Sequence, residues 1–231
     1  MGGILKHKIT LRWSRNLAYA IGLITSDGNL DSDRRHIQFG SKDAEMIINF
    51  KKALEINNKV SRHARGGEKD KKYFSVRFGD KVFYGFLNSI GLYPKKSKTI
   101  KKVLIPEQYF SDFLRGLFDG DGTFYTFRDK RWPSSYGYQI SFASASYSSI
   151  AWLKNRLTKL CGVKGFIRQG DGVYNIRYVK GDSIKLFFTM YKDINNRQDA
   201  ALFLKRKYYK ITNILAGDRL FINKYAGLAH R

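Results

Sequence analysis

Apolar residues along this chain fall into helical and strand periods that follow one another in the same order twice. Residues 17–24 form an almost unbroken apolar block behind Ser14, a side chain suited to an N-cap, and predict a helix running to Ser26. Gly28 turns the chain into a strand over about residues 29–33 that contains Asp31 and Asp33. A second strand is predicted over 35–41, where Ile37 and Phe39 alternate with His36, Gln38 and Gly40. Residues 43–56 then take a helical period with Ala44, Ile47, Ile48 and Leu54 facing inward. Two further strands follow, 60–65 and 73–78, joined by a charged glycine-bearing turn over 66–70. In the latter strand Phe74, Val76 and Phe78 alternate with Tyr73, Ser75 and Arg77. A helix over 82–90 ends at Gly91.

The second half repeats this order. Ile140 to Val163 aligns without a gap on Ile37 to Val60, and Ile176-Arg177 falls on Val76-Arg77. Its first hairpin is longer, with an aromatic and basic excursion over 128–138. Helices are predicted over 184–191 and, as a basic tail, over about 200–215. Between the halves, Pro94 and Pro106 bracket a lysine-rich connector. The organisation is a tandem duplication of an αββαββα unit: an N-terminal half over 1–94, a connector over 95–106 and a C-terminal half over 107–231.

Each unit opens on the same stretch. Gly22, Leu23, Ser26, Asp27 and Gly28 superimpose on Gly116, Leu117, Gly120, Asp121 and Gly122. Gly22 and Ser26, like Gly116 and Gly120, lie four apart and so share one helix face. Two small-residue faces let helices pack backbone to backbone. Parallel packing brings Asp27 and Asp121 together at two helix C-termini, where like charge and both dipoles oppose them. A divalent cation between them resolves that conflict. Mg²⁺ fits best, as a hard ion usually held by one or two carboxylates plus substrate phosphates, and two such carboxylates suit phosphodiester hydrolysis.

Charge sets the partner class. The 231 residues hold 43 Lys and Arg against 19 Asp and Glu, a formal charge of +24, which points to a polyanion. The polar positions of the strands supply a reading face: Asn29, Asp31, His36, Gln38, Tyr73, Ser75 and Arg77 in the first half. Thr123, Tyr125, Gln139, Ser141, Arg168, Asn175 and Arg177 do so in the second. Arg and Gln there suit bidentate contacts to guanine and adenine edges. The two faces differ residue by residue, so an asymmetric target is expected. Cys161 stands alone, excluding disulfides, and the four histidines lack metal-ligand spacing. Neither a membrane span nor a secretory leader is apparent, so an intracellular protein is expected.

The two repeated stretches, above all Leu-Arg-Gly-Leu-Phe-Asp-Gly-Asp-Gly at 114–122, resemble the signature of the LAGLIDADG homing endonucleases in their monomeric, double-motif form. The first copy departs at Thr25, where the signature often has an acid. The resemblance implies an α+β fold of two pseudo-symmetric halves, packed through the signature helices, whose antiparallel sheets form a saddle over double-stranded DNA. It implies a monomer that cuts across the minor groove with Mg²⁺ and leaves short 3′ cohesive ends; Ca²⁺ is expected to support binding without cleavage. By the same match Asp27 and Asp121 bind metal with help from the carbonyls of Ser26 and Gly120, and a lysine of each half, Lys96 and Lys207, serves catalysis. Asp43 and Ser146 occupy the place of a polar residue that completes each pocket. The implied activity is that of an intron-encoded or free-standing site-specific endonuclease. An RNA maturase acting on intron RNA and a non-cleaving DNA-binding regulator are the alternatives. Met1 and the His230-Arg231 end lack the Cys or Ser and the His-Asn pair of protein-splicing domains, so an intein is not expected.

Overall fold

Helix α1 (Arg15–Asp27) begins where Ser14 Oγ accepts a hydrogen bond from the Leu17 amide at 3.1 Å, and it buries every residue from Leu17 to Ile24. A helix buried on all sides belongs at the centre of a protein, and α1 lies there beside α5 (Phe110–Gly120). The structure is a computed structural model that describes residues 9–64, 69–128, 136–192, 194 and 201–217.

After α1 come β1 (Gly28–Leu30), β2 (His36–Ser41), α2 (Ala44–Ala53), β3 (Val60–His63), β4 (Tyr73–Gly79) and α3 (Lys81–Ser89). A short helix α4 (Lys96–Thr99) interrupts the connector. After α5 the second unit runs β5 (Thr123–Arg128), β6 (Tyr136–Ser144), α6 (Tyr147–Cys161), β7 (Phe166–Gly170), β8 (Val173–Val179) and α7 (Lys180–Tyr191), and α8 (Lys205–Leu215) follows it. The two four-stranded antiparallel sheets have orders β1-β2-β4-β3 and β5-β6-β8-β7, the same order twice. Fold class and duplication agree with the sequence reading. Among the described residues no helix is long and apolar enough to cross a membrane.

The two halves share one apolar core, whose seam is the α1–α5 contact. A Cβ on Gly22 would overlap the Phe113 carbonyl oxygen and the Leu117 amide nitrogen. One on Gly116 would overlap the Tyr19 carbonyl oxygen. Backbone thus meets backbone at the two glycines that the repeat places in register. Each glycine inside a helix costs about 0.5–1 kcal/mol relative to alanine, so the close approach has to return more than that.

Local differences from the sequence reading have local causes. The buried side of α2 is Met46, Ile47, Asn49, Phe50 and Ala53, which leaves Ala44 exposed and Ile48 52% exposed. A helical period fixes which residues share a face but not which of two neighbouring apolar rows meets the core. Strand β1 stops at Leu30, so Asp31 and Asp33 sit in the following turn, where Asp33 bonds the amides of Arg35 and His36. Helix α8 starts at Lys205 rather than near residue 200. Residues 65–68, which include Gly66, Gly67 and Glu68 of the charged turn, and residues 129–135 of the excursion lie outside the described residues.

Candidate metal centre and nucleic-acid interface

Asp27 is the last residue of α1, and Asp121 is the C-cap of α5, its amide donating to the Leu117 carbonyl at 3.1 Å. The helix ends touch there: a Cβ on Gly120 would overlap Ser26 Oγ and stand 3.2 Å from Asp27 Oδ2. Both aspartates reach solvent. Protein atoms nevertheless crowd Asp121 from behind, and that burial, followed by the charge of Asp27, pushes its carboxyl up to about 6; Lys96 and Lys207 pull the other way. The pair therefore places two like charges together where burial already disfavours the charged form of one of them.

A buried amine from each half closes on this site. Lys96, at the start of α4 and only 8% exposed, donates from Nζ to the Gly28 carbonyl oxygen. Lys207, on α8, donates to the Gly122 and Phe118 carbonyl oxygens, both at 2.6 Å, and to Gly120 at 3.3 Å. Gly28 and Gly122 are equivalent in the repeat, so the two lysines make the same contact in each half. Lys207 also finds the Phe118 and Gly120 carbonyls open because the last carbonyls of a helix have no partner within it. Burial lowers both amines to about 8, against the opposing pull of nearby carboxylates: Asp121 then Asp27 at Lys96, and Asp119 first at Lys207. The Gly120 carbonyl, expected as a metal ligand, is thus already engaged by an amine. A cavity of about 110 Å³ adjoins Lys96 and Asp121, with Thr25, Ser26, Ser144 and Ser149 also in its wall. Ile100, Leu117, Phe142, Ile150, Trp152 and Leu153 make most of the rest of the wall apolar, so water there would gather on the polar side, next to Lys96 and Asp121.

Asp43 and Ser146 do not behave alike. Ser146 caps α6, accepting from the Ser149 amide at 3.4 Å, and donates to the Ile100 carbonyl just after α4. Asp43 makes no cap hydrogen bond and instead takes Arg206 Nη2 at 2.6 Å. Each therefore ties its own half to the lysine-bearing segment of the other.

The sequence reading passed over two charged residues inside the second signature. Asp119, with no exposed surface, accepts from Tyr19 Oη and the Leu204 amide, both at 2.8 Å, and from Tyr191 Oη at 3.4 Å. Arg115 is buried too, and bonds Asp112 Oδ1 (2.6 Å) and the Leu202 and Met190 carbonyls (both 2.8 Å). Three charges, Asp112, Arg115 and Asp119, inside a helix whose other residues are mostly apolar were the available signal.

Register explains the sheet faces. Asn29, Gln38 and Arg77 are opposite one another across β1, β2 and β4, and Thr123, Ser141 and Arg177 hold the equivalent row across β5, β6 and β8. Asn29, Arg77, Thr123 and Arg168 are exposed; His36, Gln38, Tyr73, Tyr125, Asn175 and Arg177 are half-buried. Three expected reading residues are covered instead. Ser75 is buried beneath Ser61, whose Oγ lies 2.9 Å from its own, and Gln139 and Ser141 are buried on the central strand β6. Central strands are roofed by the side chains of both neighbours, which alternation does not reveal. Asp31 is engaged from the side: Arg77 Nη2 (2.7 Å), Arg77 Nε (2.9 Å) and Asn29 Nδ2 (2.7 Å) all donate to its carboxylate.

Residues 110–206 match the family model of the LAGLIDADG-like domain. Among curated proteins, the chain is 23% identical over 175 residues to a subunit of the A-type ATP synthase of Methanopyrus kandleri and 29% identical over 122 residues to an uncharacterized protein of Methanocaldococcus jannaschii. It covers only 16% and 44% of their lengths, and the matches take in 76% and 50% of this chain. Among solved structures, the DNA-bound LAGLIDADG meganuclease I-AabMI is similar over 90% of this chain and 92% of its own, with TM-score 0.60 and 12% identity. Full-length WhiA from Thermatoga maritima is similar over 94% of this chain and 68% of its own (TM-score 0.53, 17% identity). A variant of the homing endonuclease I-DmoI, in complex with its target DNA and Mn, covers 76% and 93% (TM-score 0.51, 18% identity). Residues 110–206 thus form a LAGLIDADG-like domain, and the chain has the LAGLIDADG fold in its single-chain form with two signature helices.

Proposed function

We propose that this protein is a site-specific endonuclease that hydrolyses both strands of a long, asymmetric DNA duplex with Mg²⁺. One observation carries the reading: two carboxylates meet at the ends of the paired helices, with an amine of each half anchored at the equivalent glycine carbonyl. A fold that only bound DNA has no need to gather Asp27, Asp121, Lys96 and Lys207 at one point. The meganuclease and the I-DmoI variant of similar fold are described in complex with DNA, the latter with Mn, which supports the partner and the use of a divalent ion.

The residues present fit a hard cation. Asp27 and Asp121 would hold it: the Asp121 carboxyl is raised first by burial and then by the charge of Asp27, and a cation between the two would relieve both. Mg²⁺ bound there would supply water activation and charge neutralisation at the phosphate. This chain's own groups do the rest. Lys96 and Lys207, held near 8, exchange protons with water close to neutral pH and offer N–H donors to a phosphate oxygen that gains charge. Asn29 and Gln38 in the first sheet face DNA where the second has Thr123 and a covered Ser141, with Arg77 and Arg177 at matching places, so the half-sites differ. A second reading is a DNA-binding protein that does not cut; it draws on the Gly120 carbonyl, an expected metal ligand, being already taken by Lys207.

The test is selection of cleaved molecules from a library of random duplexes in Mg²⁺ or Mn²⁺. Enrichment of one long non-palindromic sequence, lost in Asp121→Asn, is the expected result. Enrichment by binding alone, with no cut product at any protein concentration, would leave the second reading standing and remove the first.

A further inference from the structure

We infer that Asp119 is a positioning residue for Lys207, and that the first half sets its own lysine by other means. The catalytic consequence rests on the endonuclease reading; the positioning does not. Asp119 has no exposed surface, and a carboxylate without water has to be held by hydrogen bonds. One of its donors is the Leu204 amide at 2.8 Å. Leu204 is the N-cap of α8, whose side chain offers no cap, so an anion at this helix start also meets the positive end of the helix dipole. Lys207 stands three residues on, and its Nζ returns to the Phe118, Gly120 and Gly122 carbonyls around Asp119 itself. Asp119, the start of α8 and Lys207 therefore form a closed circuit back to the end of α5.

Further along α8, Tyr208 packs on Phe187 and Tyr191 of α7 and Lys210 Nζ donates to the Phe124 carbonyl of β5 (3.2 Å); the remaining polar ties act at α2. Arg206 pairs with Asp43 in an exposed ion pair, the Lys205 amide donates to Glu45 Oε2 (3.2 Å), and Asn49 Nδ2 donates to the Phe203 carbonyl (2.9 Å). All three join α8 to α2 of the first half and leave its distance from α5 unset. Arg115 holds the chain one step earlier, at the Leu202 carbonyl (2.8 Å). In the first half, Thr25 stands where Asp119 stands in the second, and its hydroxyl donates back to Ile21 of its own helix at 2.7 Å. Lys96 is placed instead by a four-residue helix entered through Lys95 at φ 55° and by the Ser146–Ile100 contact.

The experiment measures how readily each lysine is acylated. Full-length wild type, Asp119→Asn, Asp119→Glu and Tyr19→Phe are treated with limiting acetic anhydride, and Lys207 and Lys96 are quantified by peptide mass spectrometry. Asp119→Asn and Asp119→Glu are both expected to raise the reactivity of Lys207 several-fold with Lys96 unchanged. Asp119→Glu keeps the charge that holds the Lys207 amine up, so a rise confined to Asp119→Asn reports lost charge alone and overturns the inference. Tyr19→Phe, which keeps the Leu204 contact, should leave both as they were. A general loosening raises both lysines together, so an unchanged Lys207-to-Lys96 ratio overturns the inference. If Asp119→Asn does not fold, Asp119→Glu, which displaces the same carboxylate by one methylene, is read alone. On a cleaved duplex labelled on both strands, Asp119→Asn should slow the strand slowed by Lys207→Met at least tenfold, with the double variant no slower than Lys207→Met. Equal slowing of both strands overturns the inference. Wild type that cuts no duplex counts against the endonuclease reading, and the acylation ratio still decides the placement of Lys207.

Discussion

The two halves of this protein reach the same contact by different supports. In the first, Lys96 meets the Gly28 carbonyl from a single helical turn; in the second, Lys207 meets Gly122 from an eleven-residue helix pinned by a buried carboxylate. The first signature has Thr25 bonded within its own helix, and the second has Asp119 bonded to three other segments. Duplication supplied the shared frame of glycine seam, paired aspartates and strand order. Divergence then acted on what surrounds it. A single chain need not keep its two sites equal, so on the endonuclease reading the halves are expected to read different sequences and to act on their strands at different rates.

Removing either aspartate breaks the comparison most completely. Asp27→Asn and Asp121→Asn are each expected to lower double-strand cleavage about a thousand-fold or more, the scale of losing a preorganised electrostatic group, with duplex binding in Ca²⁺ kept. Full cleavage by either variant in Mg²⁺ would refute the assignment. Next in size is the seam shared by both halves. Gly22→Val or Gly116→Val drives a branched side chain into backbone, at or above the upper end of the roughly 1–3 kcal/mol typical of overpacking. Gly85→Ala in α3, where an added Cβ meets nothing within 4 Å, should instead gain about 0.5–1 kcal/mol. Thermal melts of the three variants decide this, and equal midpoints would mean the seam is not tight.

The lysines sharpen the contrast. Lys96→Met and Lys207→Met are each expected to slow cleavage about a hundred-fold, mainly on one strand and on opposite strands, as strand-labelled duplexes would show. Slowing of the same strand by both would join the amines to a single site. On the reading face, Arg77 already donates to Asp31, whereas Arg177 has no acidic partner among the described residues. Arg177→Ala should cost about 1–3 kcal/mol on the cognate duplex and less on a scrambled one. Arg77→Ala should cost less, because Arg77 must leave Asp31 before it can serve DNA. Titrations in which Arg77→Ala is the costlier variant would reverse that order.

Among the smaller effects is a pH dependence without metal. Asp121 has its carboxyl raised to about 6 in the folded protein, so ionising it costs stability. That cost is absent at pH values below the unfolded carboxylate range, grows as pH rises towards 6 and is full above it. After allowance for the solvent-exposed side of the carboxyl it amounts to about 1 kcal/mol. In chelator, Asp121→Asn should therefore be the more stable protein at pH 7.5 and equal to wild type near pH 4, by urea denaturation. Millimolar Mg²⁺ should stabilise wild type alone.

The sequence by itself determined the repeat, the strand and helix order, the two glycines of the seam and the paired aspartates. Each of these is written in local periods or in direct correspondence between the two copies, and neither needs a partner to be seen. The basic charge likewise needed no structure to indicate a polyanion. Tertiary structure decided what depends on neighbours distant in the chain. It put Ile48 in solvent and Met46 in the core, and roofed Ser75, Gln139 and Ser141 with adjoining strands. It brought the amines of Lys96 and Lys207 to glycine carbonyls 68 and 85 residues away, contacts that resemblance had proposed only as nearness to the site. Asp119 lay in plain view inside the signature, yet its role depends on the Leu204 amide, 85 residues further on. A period states which side chains share a face. What covers that face, and what charge it finds there, is settled only when the rest of the chain has packed against it.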